Sequence, residues 1–196
     1  MKKSIFIGFL LTILGAGLAA QVKKDPKSKT KNCSCKFQSV NQVGLLEGEA
    51  GSSFQLQSIN GLRYKTWFAG LGAGIDYYSF KGIPVFVDVR KDWWKKINTP
   101  FVYTDAGIHF SWVGDKNQNW WGRSEFSNGL FYDLGLGYKV GLNNKNSLLL
   151  SGGFSHKNIR EKRFTTVYCI NPPCTEGVEM FRYKLNRISL KAGWQF

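Results

Sequence analysis

His109 and Ser111 stand two residues apart in FVYTDAGIHFSW, with Glu125 downstream. A serine, a histidine and a carboxylate are the parts of an activated-hydroxyl esterase. The spacing works against that use. Period-2 alternation sends Ile108, Phe110 and Trp112 to one face and turns His109 and Ser111 to the other. If the apolar face meets lipid, the His–Ser pair looks into an enclosed interior, away from an outer-leaflet ester. His156, beside Ser155, has no better set of partners. The expectation is therefore a protein that is not an enzyme, with no catalytic residues. No cofactor motif is present, and Cys33 and Cys35 in CSC, without a nearby histidine or further cysteine, are a weak metal signal. No cofactor and no metal are expected.

What must position these residues begins with the first twenty. Lys2 and Lys3 precede an uncharged run from Ile5 to Leu18, and Ala19 and Ala20 close it, the layout of a secretory signal peptide over residues 1–20. The run is shorter than the roughly 20 apolar residues that a spanning helix needs. The 196-residue chain carries 27 Lys+Arg against 13 Asp+Glu, a net charge of +14, which by itself fits nucleic acid or an anionic membrane surface. Export removes nucleic acid from that pair. Residues 21–41 are rich in lysine and poor in apolar groups, and are expected to form a basic disordered periplasmic tail.

From residue 42 onward no 3.6-residue apolar stripe recurs, whereas alternation does. Eight strands are predicted: Gln42–Glu49, Phe54–Tyr64, Trp67–Tyr78, Ile83–Lys91, Phe101–Val113, Leu130–Leu142, Ser147–Arg160 and Met180–Phe196. Most reach the 9–11 residues of a tilted membrane strand. In the last, Ile188, Leu190, Ala192, Trp194 and Phe196 share one face, and Arg187, Ser189, Lys191, Gly193 and Gln195 the other. Glycine also lines the polar face of the third and sixth strands, at Gly70, Gly72, Gly74, Gly135 and Gly137. Glycine and charge on one face fit the inside of a narrow closed barrel, which eight strands leave just wide enough for side chains.

The polar faces collect six acids, Glu47, Glu49, Asp76, Asp88, Asp105 and Asp133, and six bases, Arg63, Arg90, Lys139, Lys157, Arg187 and Lys191. Charges walled off from bulk water need partners, so a salt-bridged plug is expected rather than an open pore. Connections agree with a membrane barrel, which has short periplasmic turns and longer outer loops. The stretches near Lys65, at Trp93–Thr99 and at Asn143–Asn146 are short, and 114–129 and 161–179 are long. Trp67, Tyr77, Tyr78, Trp93, Trp94, Trp112, Trp120, Trp121 and Trp194 sit near strand ends, as interfacial girdles do.

The terminal strand RISLKAGWQF, together with the leader, FVYTDAGIHFSW and LFYDLGLGYKVGL, resembles the small gram-negative outer-membrane barrels of the OmpA-like and OmpX-like type, also described as porin-family outer membrane proteins, over residues 42–196. The resemblance implies an all-β, eight-stranded antiparallel up-and-down transmembrane barrel in the cell outer membrane, with both termini periplasmic. It also implies an assembly signal at Trp194 and Phe196 that the barrel-assembly machinery reads. Export makes a disulfide between Cys169 and Cys174 the expectation, and leaves Cys33 and Cys35 open among free thiols, a strained bridge and an intermolecular bond. The expected role is structural, a monomer meeting outer-membrane lipid and lipopolysaccharide through its long loops. A small channel and a soluble lipocalin-like carrier with an apolar interior are the alternatives, and an outer-leaflet lipid A esterase is the remotest.

Overall fold

The computed structural model describes residues 35–112, 122–142, 146–166 and 176–196. The leader, most of the basic tail, Trp120, Trp121, Cys33 and the Cys169/Cys174 pair lie outside them. All regular structure among the described residues is β: β1 (Lys36–Gly48), β2 (Gly51–Tyr64), β3 (Trp67–Asp76), β4 (Gly82–Asp92), β5 (Thr99–Ser111), β6 (Gly122–Ser127), β7 (Gly129–Gly141), β8 (Ser147–Thr166) and β9 (Glu176–Gln195). Every neighbour is antiparallel, and β8 and β1 both pair with β9, which closes the sheet. Closure leaves no free edge over the stretch where β1 and β8 both pair with β9.

β6 and β7 act as one strand with a jog. Ser127 faces Arg160 and Phe131 faces Lys157, so four steps along one strand match three along β8, and the extra residue is a bulge at Asn128–Gly129. The barrel is thus eight-stranded, as its alternation predicts.

Alternation divides the side chains between a wall and a lumen. Leu71, Leu136 and Ile188 are each at least 60% exposed on the outside, while Ile59, Phe86, Phe101 and Phe131 are buried inside. Glycines make room for those rings. A Cβ on Gly72 would stand 2.5 Å from the Phe86 ring, and one on Gly137 2.4 Å from Phe101. The interior is therefore a packed core, with rings fitted against bare backbone.

Three expectations are corrected. The first strand begins at Lys36 rather than Gln42, because residues 36–41 are laddered to β2, and Ser39 exchanges two backbone bonds with Phe196, of 2.9 and 3.0 Å. Phe37 faces out and Val40 in, so this stretch has no one-sided apolar run to announce it. The long connections 114–129 and 161–179 are partly strand: β6 and the ends of β8 and β9 occupy 122–127, 161–166 and 176–179. Polar residues on both faces hid them. Tyr78 is no girdle residue but is 1% exposed over the lumen, where its hydroxyl accepts the Ala50 N–H at 2.8 Å.

β8 and β9 pair over their full 20 residues, yet β1 leaves β9 at Arg187 and β7 leaves β8 at Lys157. Beyond those points the hairpin, flanked by β6, continues as a three-stranded ribbon. Residues 158–166 alone extend it by roughly 30 Å along the strand.

Gly72→Ala is expected to lower unfolding stability by about 1–3 kcal/mol through overpacking. Phe86→Leu in the same chain should recover much of that loss, and urea unfolding followed by tryptophan fluorescence reads both.

Candidate functional site

The lumen is lined by one face of each strand, and its charges fall into three tiers. At the ribbon end, the last residue of β3 points inward, and Asp76 accepts Arg187 Nη1 at 2.6 Å, Lys157 Nζ at 3.2 Å and the Tyr78 N–H at 2.8 Å. Arg187 also donates to Ser155 Oγ at 2.8 Å. Lys157 reaches on to the carbonyls of Tyr78 and Phe80, at 2.6 and 2.9 Å. That grip draws the 77–81 connection over the lumen as a lid, in which Ser79 takes a φ of 56°. Phe80 in turn packs its ring on Phe126 and Tyr183 at 5.2 and 5.1 Å, joining lid to ribbon.

The middle tier holds the most crowded charge. Asp88, Asp105 and Asp133 are direct neighbours across β4, β5 and β7, and each is fully buried. Like charges side by side on a sheet repel, so this row needs cations supplied from elsewhere. Arg90, two residues along β4, forks onto Asp88 at 2.8–3.0 Å. Lys191 crosses from β9 to reach Asp105 at 3.2 Å and Asp133 at 2.9 Å. Tyr103 donates to Asp133 Oδ1 at 2.9 Å, and Ser189 Oγ donates to the same oxygen at 3.2 Å. Between the tiers lie aromatic layers, with Phe86 and Phe131 at 5.5 Å and Phe101 and Tyr103 at 6.4 Å. At the terminal end, Asp92 takes both Arg63 and Lys139.

Five acids thus meet six bases. Ten of the twelve charges read from alternation lie in this interior: Arg63, Asp76, Asp88, Arg90, Asp105, Asp133, Lys139, Lys157, Arg187 and Lys191. Glu47 and Glu49 do not. Both are exposed, because Leu46 and Gly48 are the inward residues of β1 and Glu49 lies in the turn; Glu47 accepts the Ser52 hydroxyl. Asp92 takes part unforeseen. It shares the face of Asp88 and Arg90, and one further step of the same alternation past Lys91 would have reached it.

His109 is fully buried, 3.8 Å from Asp76, whereas Glu125 is exposed on the outward face of β6, so the esterase set is split between two faces of the sheet. Trp194, near the C-terminal end of β9, and Phe196, which follows it, are exposed. Cys35 is disulfide-bonded. Each lumen carboxylate has a cationic partner, while Asp105 Oδ1, Arg187 Nε and both His109 ring nitrogens have no hydrogen bond among the described residues.

The ribbon carries a second cluster. On its inner side Glu161 accepts Tyr183 and Ser124 hydroxyls, both at 2.8 Å, and Arg163 Nη2 at 3.3 Å. Burial alone would raise the Glu161 carboxyl, but these bonds and the Arg163 charge hold it below the usual glutamate range. The Tyr183 hydroxyl is pushed up, first by its bond to that carboxylate, then by burial and by the Glu161 charge. On the outer side Arg160, Lys162, Arg182 and Lys184 are exposed, and Arg160 stands directly opposite Arg182.

Among solved structures the chain is similar to the outer membrane protein OprG of Pseudomonas aeruginosa, with a TM-score of 0.53 at 10% identity, covering 82% of this chain and 95% of that one. Neisserial surface protein A gives 0.45 at 13% identity, covering 82% and 95%, and the N-terminal β-barrel domain of Pseudomonas aeruginosa OprF 0.43 at 12%, covering 81% and 97%. No family model and no curated protein matches the chain. The likeness to OprG is one of fold, the closed antiparallel barrel.

Lys191→Met strips the counter-charge from Asp105 and Asp133 together, and a cost of about 3–5 kcal/mol is expected, seen as a lower temperature for loss of the unheated gel mobility. Glu161 should show the opposite sign of pH dependence to a histidine. Its folded pKa lies below the unfolded one, so its stabilisation is complete above the ordinary glutamate value near 4.3 and is lost as pH falls through the folded value. Amide exchange, corrected for intrinsic pH dependence, should therefore show the 161–166 segment less protected at pH 3 than at pH 6, with the lumen strands less changed.

Proposed function

We propose that this protein is an outer-membrane barrel whose lumen is a salt-bridged plug and whose working surface is the β6–β8–β9 ribbon. In this reading the barrel is a rigid mount, without catalysis and without a permanent pore. Both termini and the short turns face the periplasm, and the ribbon stands on the cell surface. The observation that carries the reading is the contrast between the two charged regions. Inside, charges consume one another. On the ribbon's outer face Arg160 stands against Arg182, with Lys162 and Lys184 beside them and a single carboxylate, Glu125, opposite Lys162.

That stacking has a cost. Arg160 and Arg182 are cross-strand partners, with Lys162 and Lys184 one step to either side on the same face. Directly opposed like charges destabilise a sheet unless an anion lies between them. The face continues the apolar wall at Phe154 and Ile188, so it meets the membrane where headgroups begin. Lipopolysaccharide phosphates are the anions available there, and guanidinium forks suit phosphate oxygens. The partners proposed are therefore outer-membrane lipid and lipopolysaccharide, with the assembly machinery engaging the last strand, Trp194 and Phe196, during insertion.

Two measurements on the purified protein test this. In planar bilayers the wild type should give no sustained conductance steps; stable ohmic steps would favour the channel reading. Replacing Arg160, Arg182 and Lys184 by glutamine should cut co-purifying lipopolysaccharide several-fold while the heat-dependent gel shift is kept. An unchanged lipopolysaccharide content would overturn the ribbon's role.

A further inference from the structure

The outward face of the barrel is mostly apolar, with single polar residues such as Thr104 on β5 and Glu47 on β1 and one compact polar group. On β1 the outward residues run Phe37, Ser39, Asn41, Val43 and Leu45; on β2 they run Tyr64, Leu62, Asn60, Ser58, Leu56 and Phe54. Ser39 is partnered with Asn60 and Asn41 with Ser58, so four polar positions form a square, of which Ser39 is buried and the other three are exposed. Apolar groups surround it. Phe37 and Leu62 lie on one side, Val43 and Leu56 on the other, Leu71 and Ala73 follow on β3, and Trp194 borders it on β9. Asn41, Ser58 and Asn60 are exposed and have no side-chain hydrogen-bond partner among the described residues.

Placement makes the square costly. Asn60 is four residues along β2 from Tyr64 at the turn, about 13 Å of strand. It therefore falls inside an apolar band that is about 25 Å tall in barrels of this kind. Acyl chains offer an amide nothing to bond, and an unpartnered amide in hydrocarbon costs a few kcal/mol.

We infer that this square is the contact surface for a second copy of this chain in the membrane. The inference rests on the membrane reading above. Three features select a second copy as occupant. A carboxamide both donates and accepts, so the same patch turned about a two-fold axis satisfies itself, Asn41 and Asn60 of one copy against those of the other. The square carries no charge, so self-contact brings no like-charge repulsion. Beside it is a depression of about 620 Å³ lined by Val43, Leu56, Ser58, Ala73 and Trp194, in which small side chains let two walls approach closely.

The test uses the full chain in density-matched neutral-detergent micelles, by sedimentation equilibrium, and in phosphatidylcholine vesicles, by energy transfer between separately labelled copies. The wild type is expected to be dimeric in both. The double variant Asn41→Leu/Asn60→Leu should weaken association about tenfold or more while keeping its heat-dependent gel shift. Val87→Leu, on the outward face of β4, should change nothing. If the double variant loses the gel shift, Ser58→Val takes its place, with a several-fold weakening expected. A wild type that is monomeric in both media, or a folded variant that associates as the wild type does, overturns the inference. Absence of the gel shift in the wild type would instead overturn the membrane-barrel reading beneath it.

Discussion

Five carboxylates held away from water inside a tube eight strands wide are the constraint on which the rest of this structure depends. Removing ions from water is expensive, and only close counter-ions with filled hydrogen bonds offset it. Each tier meets that demand differently. Asp76 is met by three donors, Asp88 by a fork from its own strand, and Asp105 and Asp133 share one lysine from the far wall. Because the partners come from different strands, the ion pairs also fix how those strands stand relative to one another. Lys191 on β9 meets carboxylates on β5 and β7, a contact that the backbone ladder does not make.

The same demand explains the glycines and the lid. A lumen that must hold rings, carboxylates and guanidinium groups together has no room for a side chain at every inward position, so Gly72 and Gly137 yield space to Phe86 and Phe101. Lys157 spends its remaining donors on the Tyr78 and Phe80 carbonyls, and the connection after β3 closes over the upper tier. Phe80 then couples that closure to the ribbon. What begins as electrostatics inside the barrel thus ends by positioning the surface on which the proposed role depends.

Much of this was legible in the chain. Alternation in β3, β7 and β9 is clean because the wall residues are apolar while the lumen residues, apart from Phe68 and Phe131, are glycine, polar or charged. Face assignment there follows directly. It fails where both faces are mixed. Residues 36–41 alternate nothing recognisable, yet their backbone is laddered to β2 throughout and to the C-terminal end of the chain from Ser39 on, and β6 and the ends of β8 and β9 lie where neither face is uniformly apolar. Glu47 went astray for a related reason: it is the last outward residue of β1, at the edge of the apolar wall beside the turn, where it accepts the Ser52 hydroxyl. Asp92 was missed through a boundary drawn one residue short. The pairing of Lys191 with two strands could not be read, since strand spacing in sequence carries no information about which side chains span a lumen.

The most direct test of a sealed, ion-paired interior is the exchange of lysine side-chain protons with water, followed by nitrogen-15 NMR of the Nζ groups in micelles. A plug predicts slowly exchanging ammonium signals for Lys157 and Lys191, with through-space contacts to Asp76 and to Asp105 and Asp133 respectively. Ammonium protons at both positions that exchange as fast as those of a surface lysine would mean a hydrated lumen, and would contradict the account.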